Sequence, residues 1–244
     1  MFQFNQAIVE ATADLVCAYK PNLAFYEALG LSGLKDLERT IKYIRQEAPH
    51  TIIIGDAKRG DIGPSGEAYA RAMFQFWGFD AVTVNPWGGR DTLTPFMEDE
   101  RRGVFVWCKS SNPGSVDLQD LPIASAGELE MVYQHLAQEV QKWNLKGNLG
   151  LVVGATYPQQ LAEVRRACPA MPLLIPGVGS QGGDLETAIR NGIDRQGRRA
   201  IINSSRGVIY AAFGPDFARA ARQEASRLRD TINQVLESEG RGWP

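Results

Sequence analysis

The residues whose types and spacing could do chemistry begin with the run Asp56-Ala57-Lys58-Arg59-Gly60-Asp61-Ile62. It closes an apolar, β-like stretch, Thr51 to Gly55. Side chains two apart on a strand share a face. Asp56 and Lys58 therefore project together, about 7 Å apart along the chain. Asp61 follows where the chain turns. Such a cluster is costly to desolvate unless its charges pair. Paired at a strand end, it offers a fixed cation beside carboxylates, suited to charge stabilisation and proton transfer. A surface ion-pair cluster would use the same residue types, and both readings stand at this point.

Strands and helices must position these groups. Short apolar runs alternate with amphipathic ones along the chain. Strands are expected at Leu15–Lys20, Thr51–Gly55, Ala81–Asn85, Val104–Lys109, Leu149–Val153, Leu173–Pro176 and Ala200–Asn203. Helices are expected at Phe4–Asp14, Leu34–Glu47, Gly66–Trp77, Thr92–Glu98, Ala126–Trp143, Pro158–Ala167, Leu185–Asn191 and Asp216–Glu237. Leu37, Ile41 and Ile44 mark the buried face of the second helix, and Pro215 precedes the last. Strict alternation argues for a parallel sheet in an α/β fold. A TIM (β/α)8-type barrel is the leading expectation, as a single domain over residues 1–244. The first element takes the place of the helix after a first strand, so the chain reads as lacking that strand. A doubly wound open sheet is the alternative. The absence of a GxGxxG run after an early strand weighs against it.

Composition narrows the function classes. The 244 residues, 44% hydrophobic, can bury a sizeable core. A net charge of −2 gives no ground for a nucleic-acid or membrane-surface partner. Cys17, Cys108 and Cys168 are widely spaced and form no CxxC, so neither a disulfide framework nor zinc is expected. Cys17 and Cys108 read as small buried hydrophobes. His50 and His135 are far apart, which argues against a histidine-centred triad or metal site. No run reaches the length of a membrane span and no signal peptide opens the chain, which fits a cytoplasmic enzyme.

In β/α barrels, chemistry collects at the C-terminal ends of the strands. Here those ends carry Lys20-Pro21-Asn22, then Asp56, Lys58 and Asp61, then Asn85-Pro86-Trp87, then Ser110-Ser111-Asn112-Pro113-Gly114. Gly154-Ala155-Thr156, Pro176 to Gly183, and Asn203 to Gly207 follow. Gly177, Gly179, Gly182 and Gly183 let the backbone approach an anion, and their loop feeds a helix N-terminus. Arg206 adds a guanidinium fork. A phosphate site is expected there, with a glycine-rich turn beside a surface arginine as the plain alternative. Lys20 alone reads as a snorkelling strand-end lysine and Ser111 as a turn serine. Asn85 and Trp87 shape the rim and receive no chemistry.

These motifs together resemble the orotidine 5′-monophosphate decarboxylase family. Its signature Asp-x-Lys-x-x-Asp-Ile is matched by Asp56, Lys58, Asp61 and Ile62. Lys20-Pro-Asn22, Ser111-Asn-Pro-Gly114, the run Pro176 to Asp184 and Asn203-Ser-Ser-Arg206-Gly207 match one branch of the family in order. The resemblance implies conversion of orotidine 5′-monophosphate to uridine 5′-monophosphate in pyrimidine synthesis, with no cofactor or metal. It implies Lys58 as proton donor to C6 and Asp56 facing the departing carboxylate. Lys20 would pair with Asp56 and touch the ribose, with Asn22 beside it. Ser111 would bond the pyrimidine edge, with Pro176 near the ring. Gln181 and Arg206 would grip the phosphate. Asp61, with Ile62 and Ser65, would cross a homodimer interface into the partner's site. Such a reaction leaves a carbanion with no electron sink, which calls for a preplaced cation. Phosphate binding would close the loops carrying Ser111 and Gln181.

Family members usually open with a strand ending in Asp-Pro, and no such segment precedes Phe4. Lower stability and weaker activity than in a chain extended upstream are therefore expected, as is the option of a domain within a longer bifunctional chain. Three other functions fit parts of the pattern. They are a magnesium-dependent phosphosugar decarboxylase or epimerase, a Schiff-base aldolase built on Lys58 or Lys20, and a non-catalytic nucleotide-binding relative.

Overall fold

A computed structural model describes every residue except Ala126, Ser180 and Pro244. The expected start of the helix at Ala126 and the Ser180 position of the glycine-rich run thus lie outside the described residues. The chain packs as two compact units, Met1–Val104 with Ser205–Asp230, and Phe105–Ser204 with Thr231–Pro244.

The first unit opens with α1 (Phe2–Thr12), β1 (Ala18–Tyr19), α2 (Leu23–Glu27) and α3 (Gly30–Glu47). Then come β2 (Ile52–Arg59), α4 (Gly63–Arg71), a π-helical turn (Ala72–Phe76), β3 (Ala81–Val84) and α5 (Arg90–Met97). Strand β4 (Gly103–Lys109) begins in this unit and ends in the second. β1 pairs with β2 and β2 with β3, all parallel. β2 reads Ile-Ile-Ile-Gly because a parallel strand is covered on both faces, and Ile53 and Ile54 are buried. Gly55 follows where a Cβ would sit 2.5 Å from the buried Phe79 ring. Leu37, Ile41 and Ile44 of α3 are buried as their spacing predicts. Asp80 fastens α3 to the sheet, pairing with Arg45 at 2.8 Å and accepting the Ile53 N–H at 2.8 Å.

The second unit continues from β4 through a 3-10 turn (Pro113–Asp117), β5 (Pro122–Ser125), β6 (Glu128–Met131) and α6 (Val132–Trp143). β7 (Leu149–Val153), α7 (Pro158–Ala167), β8 (Leu173–Pro176), α8 (Leu185–Gly192) and β9 (Ala200–Asn203) follow. α9 (Arg206–Ile209) belongs to the first unit, and α10 (Phe217–Ser238) runs from the first into the second. β7 pairs with β8 and β8 with β9, again parallel. The apolar face of α8 meets α10 through Ile189, Ile193, Val235 and Leu236.

The seven-stranded sheet has the order β1-β2-β3-β4-β7-β8-β9. The order never reverses, so it has no topological switch point, and the doubly wound alternative falls. It is the succession of a TIM (β/α)8-type barrel, with seven parallel strands among the described residues. The bounds of β7, α7, β8 and β9 are those expected from sequence.

Other elements differ, each for a local reason. β2 runs on through Asp56 and Lys58 to Arg59 instead of stopping at Gly55. The ladder of β1 holds just two residues, so most of Leu15–Lys20 lies outside the strand. The helix expected over Gly66–Trp77 starts earlier, with Pro64 in its first turn, and loosens into the π-turn. Glu128–Met131, rich in helix formers, pairs instead with Pro122–Ser125 as an antiparallel hairpin beside Gly127 at φ 88°. Intrinsic propensity is a weak prior against such pairing. Cys108 is buried as expected, but Cys17 is exposed because it lies in a bend ahead of a two-residue strand.

The Gly55 contact generates a prediction. Gly55→Ala is expected to cost about 1–3 kcal/mol, since the buried Phe79 ring cannot retreat cheaply. Urea unfolding measures it, and an unchanged midpoint would contradict the close-packing account.

Candidate active site

The first unit builds a charge network on Asp56. Its Oδ2 lies 2.5 Å from Lys20 Nζ and its Oδ1 lies 2.6 Å from Lys58 Nζ. Thr83 Oγ1 donates to Asp56 Oδ1 at 3.0 Å, and the Lys58 N–H donates to Thr83 Oγ1 at 3.1 Å. The Asp56 N–H bonds Pro21 O at 2.9 Å, which brings the end of β1 against β2. The Asp56 and Lys20 side chains are 8% and 12% exposed, while that of Lys58 is 38% exposed. One end of the network is therefore buried and one cation faces outward.

Burial pushes the Asp56 carboxyl up, but the Lys20 and Lys58 ammoniums outweigh it through charge and hydrogen bonding. The carboxyl is held below the usual carboxylate range. A surface ion-pair cluster would not bury its central carboxylate in this way. The two lysines do converge with Asp56, but not through a regular strand. The β2–β3 register shifts between Gly55 and Arg59, and Lys58 sits at φ 48°. A non-glycine residue in that region costs about 1–3 kcal/mol and persists where its surroundings hold it. Here the Thr83 hydroxyl holds its N–H and Asp56 holds its ammonium. Sequence reading missed Thr83, because Ala-Val-Thr-Val looks like any strand. The one available signal was a hydroxyl at a position buried like its neighbours.

The other expected residues of this unit lie on its loops and at the starts of its helices. The Asn22 side-chain oxygen caps α2, accepting from Ala24 N at 3.1 Å, and its backbone bridges to Asp56. Asp61 accepts from the Ile62 N–H at 2.8 Å. Ile62 is 66% exposed, and Ser65, in the first turn of α4, is exposed too. Arg206 opens α9 and is exposed.

In the second unit, Ser111, Pro176 and Gln181 come together around two glycines. A Cβ on Gly177 would lie 2.8 Å from Gln181 Oε1 and 3.0 Å from Ser111 Cβ. A Cβ on Gly154 would lie 2.7 Å from Ser111 Cα. Pro176 O accepts the Ala155 N–H at 2.8 Å, and Ser111 O accepts Thr156 Oγ1 at 2.9 Å. These glycines are therefore needed for close approach of the β4, β7 and β8 loops to one another, and not only to an anion. The N-terminus of α8 also differs from expectation. The Asp184 carboxylate caps it, accepting the Thr187 N–H at 2.8 Å. The N–H groups of Gly179, Gly182 and Gly183 bond within the loop. An anion there would depend chiefly on side chains such as Gln181.

Among the described residues, no group of His, Cys, Asp and Glu is arranged to hold a metal, and no helix is long and apolar enough to cross a membrane. The arrangement supplies a cation fixed against a buried carboxylate, with a polar side chain pair in the second unit.

Comparison with known proteins bears on this chemistry. Residues 3–223 match the model of the orotidine 5′-phosphate decarboxylase / HUMPS family. A relative from Roseiflexus sp. (strain RS-1), named orotidine 5′-phosphate decarboxylase, is 52% identical over 97% of this chain and 85% of its own length. The structure of Leishmania donovani OMP decarboxylase superposes with a TM-score of 0.84 at 35% identity, covering 96% of this chain and 87% of that one. Leishmania donovani UMP synthase gives a TM-score of 0.86 at 38% identity over 96% of this chain. The chain spans 49% of that longer protein.

Thr83 is the testable part of the geometry. Thr83→Val keeps the shape but strips the buried network of its hydroxyl, and is expected to destabilise the fold by about 1–3 kcal/mol. Denaturant unfolding reads this directly, and a neutral result would show that Thr83 does not hold Asp56 and Lys58.

Proposed function

The chain belongs to the orotidine 5′-phosphate decarboxylase / HUMPS family, and from that premise we propose that it decarboxylates orotidine 5′-monophosphate to uridine 5′-monophosphate. The observation that carries the proposal is the Asp56 carboxylate clasped between the ammoniums of Lys20 and Lys58. Loss of carbon dioxide leaves an electron pair at C6 of the pyrimidine. Nothing in the ring delocalises it, so the protein must meet it with charge already in place. Lys58 is that charge, and its proton passes to C6 as the carbon–carboxylate bond breaks. Asp56 keeps Lys58 aimed, because moving the ammonium away would take the cation from one oxygen of a buried carboxylate. Asp56 also stands against the substrate carboxylate. Lys20 holds the second oxygen of Asp56 and, with Asn22, meets the ribose.

The remaining contacts rest on the family pattern and on the chemistry of each side chain. Ser111 bonds the pyrimidine edge, and Pro176 lies near the ring. Gln181 and Arg206 bind the phosphate, whose binding energy can be spent on closing the loops over the reacting centre. Asp61, Ile62 and Ser65 act across a homodimer, each in the partner's site. The exposure of Ile62 and Ser65 supports this assignment. The chain works as one catalytic domain in the cytoplasm, with a nucleotide substrate and no nucleic-acid partner.

The test follows the absorbance of orotidine 5′-monophosphate mixed with the protein, with and without EDTA, alongside Lys58→Ala. Turnover is expected to survive EDTA and to fall about a thousandfold or more in the variant. Uridine 5′-monophosphate is expected to raise the melting temperature of both proteins. Turnover lost to EDTA would favour a metal-dependent phosphosugar reaction. Turnover retained by Lys58→Ala would remove Lys58 from the chemistry.

A further inference from the structure

Lys109 is the last residue of β4 and is 0% exposed. A lysine out of water must be paired and hydrogen-bonded to be tolerated. Its Nζ lies 2.7 Å from Asp120 Oδ1 and donates to Ser115 Oγ at 2.9 Å. It also stands 4.3 Å from the Tyr157 ring centroid and 5.9 Å from that of Tyr133. Ring faces add attraction for a desolvated cation. Nothing in the reaction proposed above uses this ammonium.

The partners of Lys109 show what it does. Ser115 and Asp120 lie at two separate points of the loop that leaves β4, and Ser111 is in the same loop. One cation thus folds the loop back onto the strand end. Further bonds follow the same fold. Gln119 Oε1 accepts the Ser110 N–H at 2.8 Å. Tyr157, which faces the ammonium, donates from its hydroxyl to Asn112 O at 3.1 Å. The carbonyl of Lys109 accepts the Gly154 N–H at 2.8 Å, and Gly154 is the residue against which Ser111 packs without room for a Cβ.

We infer that Lys109 is a positioning residue for base recognition: its buried ammonium, tied to Ser115 and Asp120, sets the place of Ser111. The inference rests on the reading of Ser111 as the contact to the pyrimidine edge. A methionine would fill the same space, but it would release Ser115 and leave Asp120 without its cation.

The experiment compares wild type, Lys109→Met, Ser111→Ala and the double variant, by calorimetric titration with uridine 5′-monophosphate and with ribose 5-phosphate, which lacks the base. Lys109→Met is expected to weaken uridine 5′-monophosphate binding about tenfold and to leave ribose 5-phosphate unchanged. It is expected to add nothing in the Ser111→Ala background. Equal weakening of both ligands, or additive losses, would overturn the inference, since either marks a general structural role. Should Lys109→Met not fold, Ser115→Ala removes one arm alone and is expected to give the same pattern at smaller size; unchanged nucleotide binding there would also overturn it. Hydrogen exchange of the amides in 110–121 separates this inference from the function it rests on. A wild type that neither binds nor converts the nucleotides would defeat the proposed function. Faster exchange of that loop in Lys109→Met would still support the anchor, and unchanged exchange would defeat it.

Discussion

A carboxylate buried beside two ammoniums is the constraint around which the first unit is arranged. Asp56 taken alone would be expelled to the surface or protonated, because desolvating a lone charge costs more than local packing returns. With Lys20 on one oxygen and Lys58 on the other, the group stays ionised. That requirement reaches back into the chain. It needs β1 beside β2, so that Lys20 arrives from the neighbouring strand. It needs β3 on the other side, so that Thr83 supplies a hydroxyl. It also needs the irregular register of β2 that turns Lys58 toward the carboxylate while leaving it partly open. The strain at Lys58 is balanced by these partners and is a cost of aiming a cation outward from a buried anion.

The second unit meets a different requirement, the close approach of loops. Gly154, Gly177 and Gly183 stand where side chains would collide with Ser111, Gln181 and Ala155. Small residues there let three strand ends converge until polar side chains from different loops are neighbours. The buried Lys109 does for the longest of these loops what Asp56 does for the first unit. Each uses one desolvated charge to tie together segments that are separate along the chain.

Much of this was legible in the sequence where local pattern and tertiary demand agree. Leu37, Ile41 and Ile44 had to face the sheet at helical spacing, and the continuous apolar runs of β7 and β8 had to be covered strands. That Asp56 and Lys58 would meet was legible, though the register shift and positive φ that bring them together were not, and the convergence of Ser111 with Gln181 was anticipated by their shared position after strands. The departures came where a tertiary contact overrode a local signal. Glu128–Met131 contains good helix formers, yet a partner strand claimed it. Gly55 looked like the end of a strand but marks the place where Phe79 crosses it. The glycine run after β8 read as an anion cradle, whereas the loop's own carbonyls take the amides of Gly179, Gly182 and Gly183, and Asp184 takes the Thr187 amide at the start of α8. Lys109 gave no pattern, and Thr83 gave only a hydroxyl within an apolar run. Their roles depend on what lies across from them in space, which no spacing along the chain encodes.

The central claim is that the Asp56 carboxylate makes Lys58 competent for decarboxylation. Asp56→Asn keeps the size of the side chain and removes its charge, so the turnover of orotidine 5′-monophosphate by this variant is the most direct measurement. The account predicts turnover lost by about a thousandfold or more in a protein that still folds and still gains stability from uridine 5′-monophosphate. Turnover close to that of the wild type would contradict it.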